Sequence, residues 1–127
     1  MPRDCSALET GAVSGLLGGE PVLDSDSEFD TTLQRLHCIW YTNDAVSEKV
    51  SVQLGVADDF IGFYASQEGT GTRKYTKVSG FDEGRLYGDD ILIAKRNGLA
   101  VAVDARSVYP QSTEQQIVAV ALEATTT

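Results

Sequence analysis

Two groups of carboxylates are the residues of this chain whose types and spacing could do chemistry. Asp89 and Asp90 are adjacent and precede an apolar run. Residues 24–30 place an acid at every second position: Asp24, Asp26, Glu28 and Asp30. Paired carboxylates can hold divalent metal ions or act as an acid and a base, and alternate acids are typical of calcium loops.

The acidic stretch departs from a calcium loop at two decisive positions. An EF-hand requires glycine where Phe29 stands and glutamate where Arg35 stands, and no clear helix precedes the stretch. A solvated acidic turn is therefore the favoured interpretation of residues 24–30.

The string Tyr-Gly-Asp-Asp at residues 87–90, followed by Ile91, resembles motif C of viral RNA-dependent RNA polymerases. In that family a tight hairpin presents two aspartates to magnesium ions. The resemblance covers four residues and an apolar run, and a chain of 127 residues with net charge −9 is too short and too acidic for a polymerase. We therefore interpret the string as a turn before a strand.

Other catalytic groups are scarce. His37, the single histidine, is adjacent to Cys38. Neighbouring residues of a strand point to opposite faces, so they make a poor dyad. The sequence has no nucleophile elbow, Walker loop or dinucleotide fingerprint. It therefore predicts no catalytic residues, no cofactor and no metal site.

The net charge of −9 is concentrated near the start of the chain. Residues 1–31 hold seven acids and one base, whereas residues 32–127 hold twelve acids and nine bases. Because phosphates and anionic lipids repel an acidic surface, we expect no direct binding to nucleic acids or membranes.

The cysteines and the apolar runs bear on the compartment. Cys5 and Cys38 form no CxxC pair, and Cys38 lies in an apolar run, which predicts a buried, reduced thiol. No apolar stretch approaches the roughly 20 residues of a membrane span, and the first residues do not resemble a signal peptide. We expect a cytoplasmic protein, or one assembled into a particle in the cytoplasm.

Residues 1–31 are interrupted by glycine and proline, which predicts an arm that is extended or only partly ordered. A short helix over residues 6–17 is an alternative, which Gly11 and Gly15 weaken. On a neighbouring molecule, the arm would dock through its apolar residues: Leu16, Leu17, Val22 and Leu23.

Residues 32–127 have the period-two alternation of half-buried strands. Residues 36–42 and 46–54 are predicted to form one hairpin, and residues 91–94 and 99–103 another, closed by Asn97 and Gly98.

Two segments of this domain allow a second interpretation. Residues 59–65 fit a strand or a short helix. Residues 112–124 fit a capped helix or a strand, and their β-branched content favours the strand. The sequence thus predicts a mainly β fold, a single antiparallel β-sandwich or flattened barrel of about six to seven short strands.

Arg73, Tyr75 and Lys77 alternate along a polar strand and are predicted to share one face. Such a face could meet an acidic partner, including the arm of a neighbouring subunit. The alternative is a solvated edge strand that resists aggregation.

The leading hypothesis is a non-catalytic structural or assembly protein of the capsid, cement, neck or tail type. Its partners would be copies of itself, other proteins of the assembly, or both. The alternative is a small acidic binding or inhibitory module, of immunity or regulatory type, that masks a basic protein. The third is a carboxylate-dependent or metal-dependent enzyme that uses acids such as Asp58, Asp59, Asp89 and Asp90.

Overall fold

The computed structural model describes residues 1–56 and 74–126. The ambiguous segment 59–65, Asp58 and Arg73 lie outside these residues. The described helices are a 3₁₀ helix (Cys5–Leu8), α1 (Gly11–Leu17) and α2 (Glu114–Ala124). The described strands are β1 (Val22–Leu23), β2 (Glu28–Asp30), β3 (Arg35–Thr42), β4 (Ala45–Val56), β5 (Thr76–Lys77), β6 (Glu83–Tyr87), β7 (Ile91–Arg96) and β8 (Leu99–Asp104).

These eight strands form one antiparallel sheet in the order β1-β3-β4-β8-β7-β6-β5, with β2 also paired to β3. The helices α1 and α2 contact each other and pack on one face, here called the helix face; the opposite face is called the outer face. The prediction of a mainly β, antiparallel chain is confirmed.

The hairpin of β3 and β4 follows the predicted alternation. Trp40 pairs with Val50, and Cys38 pairs with Val52. These four side chains are at most 1% exposed and belong to the main core under the helices. Residues between them, such as His37, point to the outer face.

The hairpin of β7 and β8 is also confirmed. Its turn residues Asn97 and Gly98 have φ values of 55° and 74°, the left-handed conformation that two-residue hairpin loops require. The two faces of the hairpin carry different apolar groups. Leu99, Val101 and Val103 join the main core, whereas Ala100 and Ala102 join a second buried cluster on the outer face, with Tyr87, Ile91 and Ile93.

Replacing Gly98 with alanine should lower the free energy of unfolding by about 1 kcal/mol, because a Cβ disfavours the left-handed conformation. The matched control is Gly15→Ala. Gly15 lies inside α1, and a Cβ there would meet no atom within 4 Å. That change should raise stability by up to about 1 kcal/mol. Urea unfolding of both variants measures the two changes in the free energy of unfolding. Changes of the same sign and size in both variants would show that the turn is wrongly placed.

The preference for a strand over residues 112–124 is wrong, because α2 occupies Glu114–Ala124. Thr113 accepts a hydrogen bond from the backbone N–H of Gln116, and the side chain of Gln116 accepts one from the N–H of Thr113. This capping box and burial at helical spacing outweigh the β-branched content. The buried residues are Ile117, Val120, Ala121 and Ala124.

The prediction of an extended arm is corrected by the packing of residues 1–31. The segment folds into the 3₁₀ helix, α1, β1 and β2. Four of its side chains are buried in the main core: Cys5, Leu8, Val13 and Leu16. Glycine and proline separate these short elements, but the apolar side chains of the elements still pack in the core.

The prediction of reduced thiols is also wrong, because Cys5 and Cys38 form a disulfide with a Cα–Cα distance of 5.6 Å. Cys38 is buried as expected, at 0% exposure. The bond joins the 3₁₀ helix to β3 across a sequence separation of 33 residues. It therefore ties the acidic N-terminal segment to β3, the second strand of the sheet.

Candidate functional site

Asp89 and Asp90 lie in the turn between β6 and β7, and their backbones tie that turn to the rest of the fold. The carbonyl oxygen of Asp90 accepts a hydrogen bond from the N–H of Ala105 at 2.7 Å. That of Asp89 accepts one from the hydroxyl of Ser112 at 3.2 Å. Within residues 1–56 and 74–126, no three metal-ligating side chains come together.

The acidic stretch 24–30 contains one carboxylate with a clear structural role. Asp24 is 8% exposed and accepts hydrogen bonds from the backbone N–H of Asp26 at 2.9 Å and from Nζ of Lys49 at 2.7 Å. Its own N–H donates to the carbonyl of Ile39. Asp24 thus fastens the link between β1 and β2 to β3 and β4.

These contacts shift two pKa values in opposite directions. The hydrogen bond from Lys49, and then that from the N–H of Asp26, lower the pKa of Asp24 below its ordinary 3.8. The hydrogen bond to Asp24 raises the pKa of Lys49 above its ordinary 10.5. Both shifts favour the charged pair.

Replacing Lys49 with methionine should raise the pKa of Asp24 toward 3.8. The depressed pKa contributes stability that is present above pH 3.8 and lost as pH falls through the folded value. The acid limb of stability against pH should therefore become shallower in the variant. An NMR titration of the Asp24 carboxyl carbon measures the shift. Lys77→Met, on exposed β5, is the control and should leave the Asp24 titration unchanged.

The expectation that His37 and Cys38 form no dyad is confirmed by their positions. Cys38 points into the main core and bonds to Cys5, whereas His37 is half-buried on the outer face. The imidazole therefore belongs with the groups of the outer face.

Of the predicted basic surface, the structure describes Tyr75 and Lys77. Both are exposed, and they line a groove of about 420 Å³ with Arg85 and Glu83. The centre of the Tyr75 ring lies 5.6 Å from the centre of the Tyr87 ring. The guanidinium of Arg85 lies over the Tyr75 ring, 4.9 Å from its centre. Because these neighbours hold the ring, Tyr75 covers part of its own subunit.

The apolar residues of the predicted arm differ in how far they are exposed. Leu16 is 5% exposed and belongs to the core, so it is not a contact residue. Leu17 and Val22 are half-buried. Leu23 is 45% exposed and stays available to a partner.

Leu23 lies at the same end of the sheet as two other exposed apolar residues, Val46 (55%) and Tyr109 (83%). Leu23 pairs with Trp40 near the end of β3, and Val46 follows the turn into β4. The backbone N–H of Tyr109 donates to Oε1 of Glu48, two residues beyond Val46. We call Leu23, Val46 and Tyr109 the hairpin-end surface.

The sequence pattern did not reveal this surface. Val46 continues the alternation of Val50 and Val52, which places it in the core by pattern alone. However, β8 ends at Asp104, opposite Ser51, so the first residues of β4 extend beyond their partner strand. The pairing with β3 is also irregular here, because Trp40 pairs with Val50 but Thr42 pairs with Ala45. This register shift interrupts the alternation before it reaches Val46.

Comparisons with protein-family models, curated proteins and solved structures found no match. In the described part of the chain, no helix has the length and apolar character needed to cross a membrane.

Proposed function

We propose that this chain is a non-catalytic subunit of a protein assembly and that it contacts its partner through the hairpin-end surface. The observation that carries the proposal is that Leu23, Val46 and Tyr109, each 45% exposed or more, lie toward the same end of the sheet. Single exposed apolar residues are ordinary, whereas several that one partner could cover together mark a candidate contact site.

Tyr109 is the strongest candidate for an anchor residue. Its backbone is held by the 2.8 Å hydrogen bond to Glu48, while its side chain is 83% exposed. An aromatic ring on a fixed backbone loses little conformational freedom on binding, because only its side-chain torsions have to be ordered. Tyrosine is also enriched among the residues that dominate interface energies.

The dimensions of the surface suit the centre of an interface. Neighbouring strands lie about 5 Å apart. Leu23 on β1 and Tyr109 beside β4 are therefore separated by roughly 15 Å across the intervening strands. Three apolar residues at this spacing, with polar residues nearby, fit within the core and rim of a single interface.

The rim favours a second candidate, the acidic binding module. Glu20 follows Gly19, whose Cβ position would lie 3.3 Å from Thr42, and so it stands at this end. Asp44 lies in the turn and Glu48 beside Tyr109. Together with the net charge of −9, these acids would speed association with a basic protein and oppose pairing of two copies.

The disulfide supports a compartment other than the cytoplasm expected from the sequence. Disulfides persist in oxidising environments and are rare where glutathione and thioredoxin keep thiols reduced. Because Cys5 and Cys38 are joined, we propose that the assembly forms in an oxidising compartment.

Replacing Val46 with aspartate or Tyr109 with serine should weaken association by about tenfold or more, because each change removes apolar contact at the centre of the interface. Leu33→Asp is the matched control. Leu33 is 57% exposed in the turn between β2 and β3, at the opposite end of the sheet, and its replacement should leave association unchanged. Sedimentation equilibrium over a concentration range measures the mass of each protein.

The same measurement separates the two candidates. A discrete oligomer that Val46→Asp dissociates supports assembly from copies of this chain. A monomer that forms a complex with a basic protein such as lysozyme, lost in Val46→Asp and retained in Leu33→Asp, supports the acidic module. Association that survives both hairpin-end changes, or that Leu33→Asp abolishes equally, contradicts the proposed surface.

A further inference from the structure

A groove of about 430 Å³ lies on the outer face where β3, β4 and β8 are adjacent. Its position follows from strand alternation, since each strand contributes the residues next to its core positions. It is an open groove on the surface rather than an enclosed cavity. The groove is lined by His37, Ile39, Lys49, Ser51, Asp104, Arg106 and Ser107.

Each cation that lines the groove has a carboxylate partner, which is Asp104 within the lining for Arg106 and Asp24 beside the lining for Lys49. Nζ of Lys49 lies 2.7 Å from Asp24. The guanidinium of Arg106 makes two hydrogen bonds to Asp104, Nε to Oδ1 at 3.0 Å and Nη2 to Oδ2 at 2.7 Å. These pairs fix the orientation of both cations, and the four charges sum to zero.

This arrangement discriminates among classes of ligand. An anion would be attracted by Lys49 and Arg106 but repelled by Asp24 and Asp104. A cation would be attracted by the two carboxylates but repelled by Lys49 and Arg106. A hydroxyl group both donates and accepts hydrogen bonds. It can therefore use the donors of the cations, the acceptor oxygens of the carboxylates and the hydroxyls of the serines without opposing any charge.

We infer that this groove binds a neutral sugar unit. A sugar ring carries several hydroxyls around its edge and C–H groups on its faces. The hydroxyls match Ser51 in the middle of the groove, Ser107 and the two ion pairs. The C–H groups match Ile39, which is half-buried on the β3 side of the groove, next to Ser51. Tyr41 follows on the same face of β3, and Lys49 lies 5.8 Å from its ring.

The inference is independent of the hairpin-end surface, because the groove faces outward from the sheet and the surface lies at the end of β3 and β4. A chain that fails to associate can still bind sugar, and a chain that fails to bind sugar can still associate.

Amide chemical shifts of the oxidised full chain test the inference directly. The probes are maltotriose, cellotriose, chitotriose and galactobiose, with inorganic phosphate as the anionic comparison. At about 10 mM each probe would reveal a Kd in the millimolar range or tighter. We expect one or more sugars to shift the amides of His37, Ile39, Ser51 and Ser107, and phosphate to leave them unchanged.

Two variants and a control locate the site. Ser51→Val removes a groove hydroxyl and should weaken sugar binding at least about fivefold. Arg106→Gln gives a second test if Ser51→Val fails to fold. Thr76→Val makes the same change of hydroxyl to methyl on exposed β5 and should leave binding unchanged. Shifts caused by phosphate alone, by none of the probes, or by sugars equally in the folded groove variants would overturn the inference.

Discussion

Replacing both Cys5 and Cys38 with alanine should lower the free energy of unfolding by about 4 kcal/mol. The disulfide spans 33 residues, and loop-closure entropy for a loop of this length gives a stabilisation of about 4 kcal/mol relative to the open unfolded chain. Alanine avoids placing a new polar group at Cys38, which is fully buried. Urea unfolding of the oxidised wild type and of the double variant measures the difference.

Reduction of the wild type supplies the control for the cysteine changes. A thiol reductant should lower the stability of the wild type by a similar amount and should leave the double variant unaffected. A double variant as stable as the oxidised wild type would contradict the view that the bond anchors residues 1–31 to β3.

Replacing Leu16 with alanine should cost about 2–5 kcal/mol of stability, because it removes a buried side chain and leaves a cavity under the helices. Leu16 is 5% exposed and belongs to the main core. An extended arm would instead leave this leucine in solvent, where truncation has little effect on the free energy of unfolding.

Leu23→Ala is the matched control within the same segment. Leu23 is 45% exposed, and its truncation should cost less than about 1 kcal/mol. Thermal and urea unfolding of both variants, at a concentration where the chain is monomeric, separates packing within the subunit from packing between subunits. Similar small losses of stability in both variants would instead support an extended arm.

The two hairpins were predictable because their determinants are local. Alternation of Val50, Val52 and Leu54 with polar residues specifies one buried face, and Asn97 with Gly98 specifies a turn with positive φ. Both signals lie within a few residues of the structure they produce. The position of Asp89 and Asp90 in a turn before β7 was predictable for the same reason.

The features that escaped prediction depend on contacts distant in sequence. The segment 114–124 has β-branched residues at helical spacing as well as in alternation, and packing against α1 and the sheet adds to the local capping box in favour of the helix. The partner of Cys5 is 33 residues away, so spacing alone did not reveal the bond. The exposure of Val46 follows a register shift between β3 and β4, which no pattern within β4 records.

The groove on the outer face illustrates the same limit. His37, Lys49 and Ser51 each occupy a polar position that alternation predicts correctly. Their convergence with Arg106 depends on the pairing of β4 with β8. Sequence spacing therefore predicted the face of the sheet on which each side chain lies. It did not predict that these side chains line one groove, because that depends on the tertiary structure.

Amide hydrogen exchange at low and high protein concentration tests most directly which part of the chain makes the contact between subunits. We expect residues 14–17 to exchange slowly at both concentrations, because their N–H groups are bonded within α1, which is packed within its own subunit. Residues 45–48 and 109 should gain protection only when the chain associates. Fast exchange of residues 14–17 in the dilute chain, with protection appearing on association while the hairpin end stays unprotected, would contradict the account.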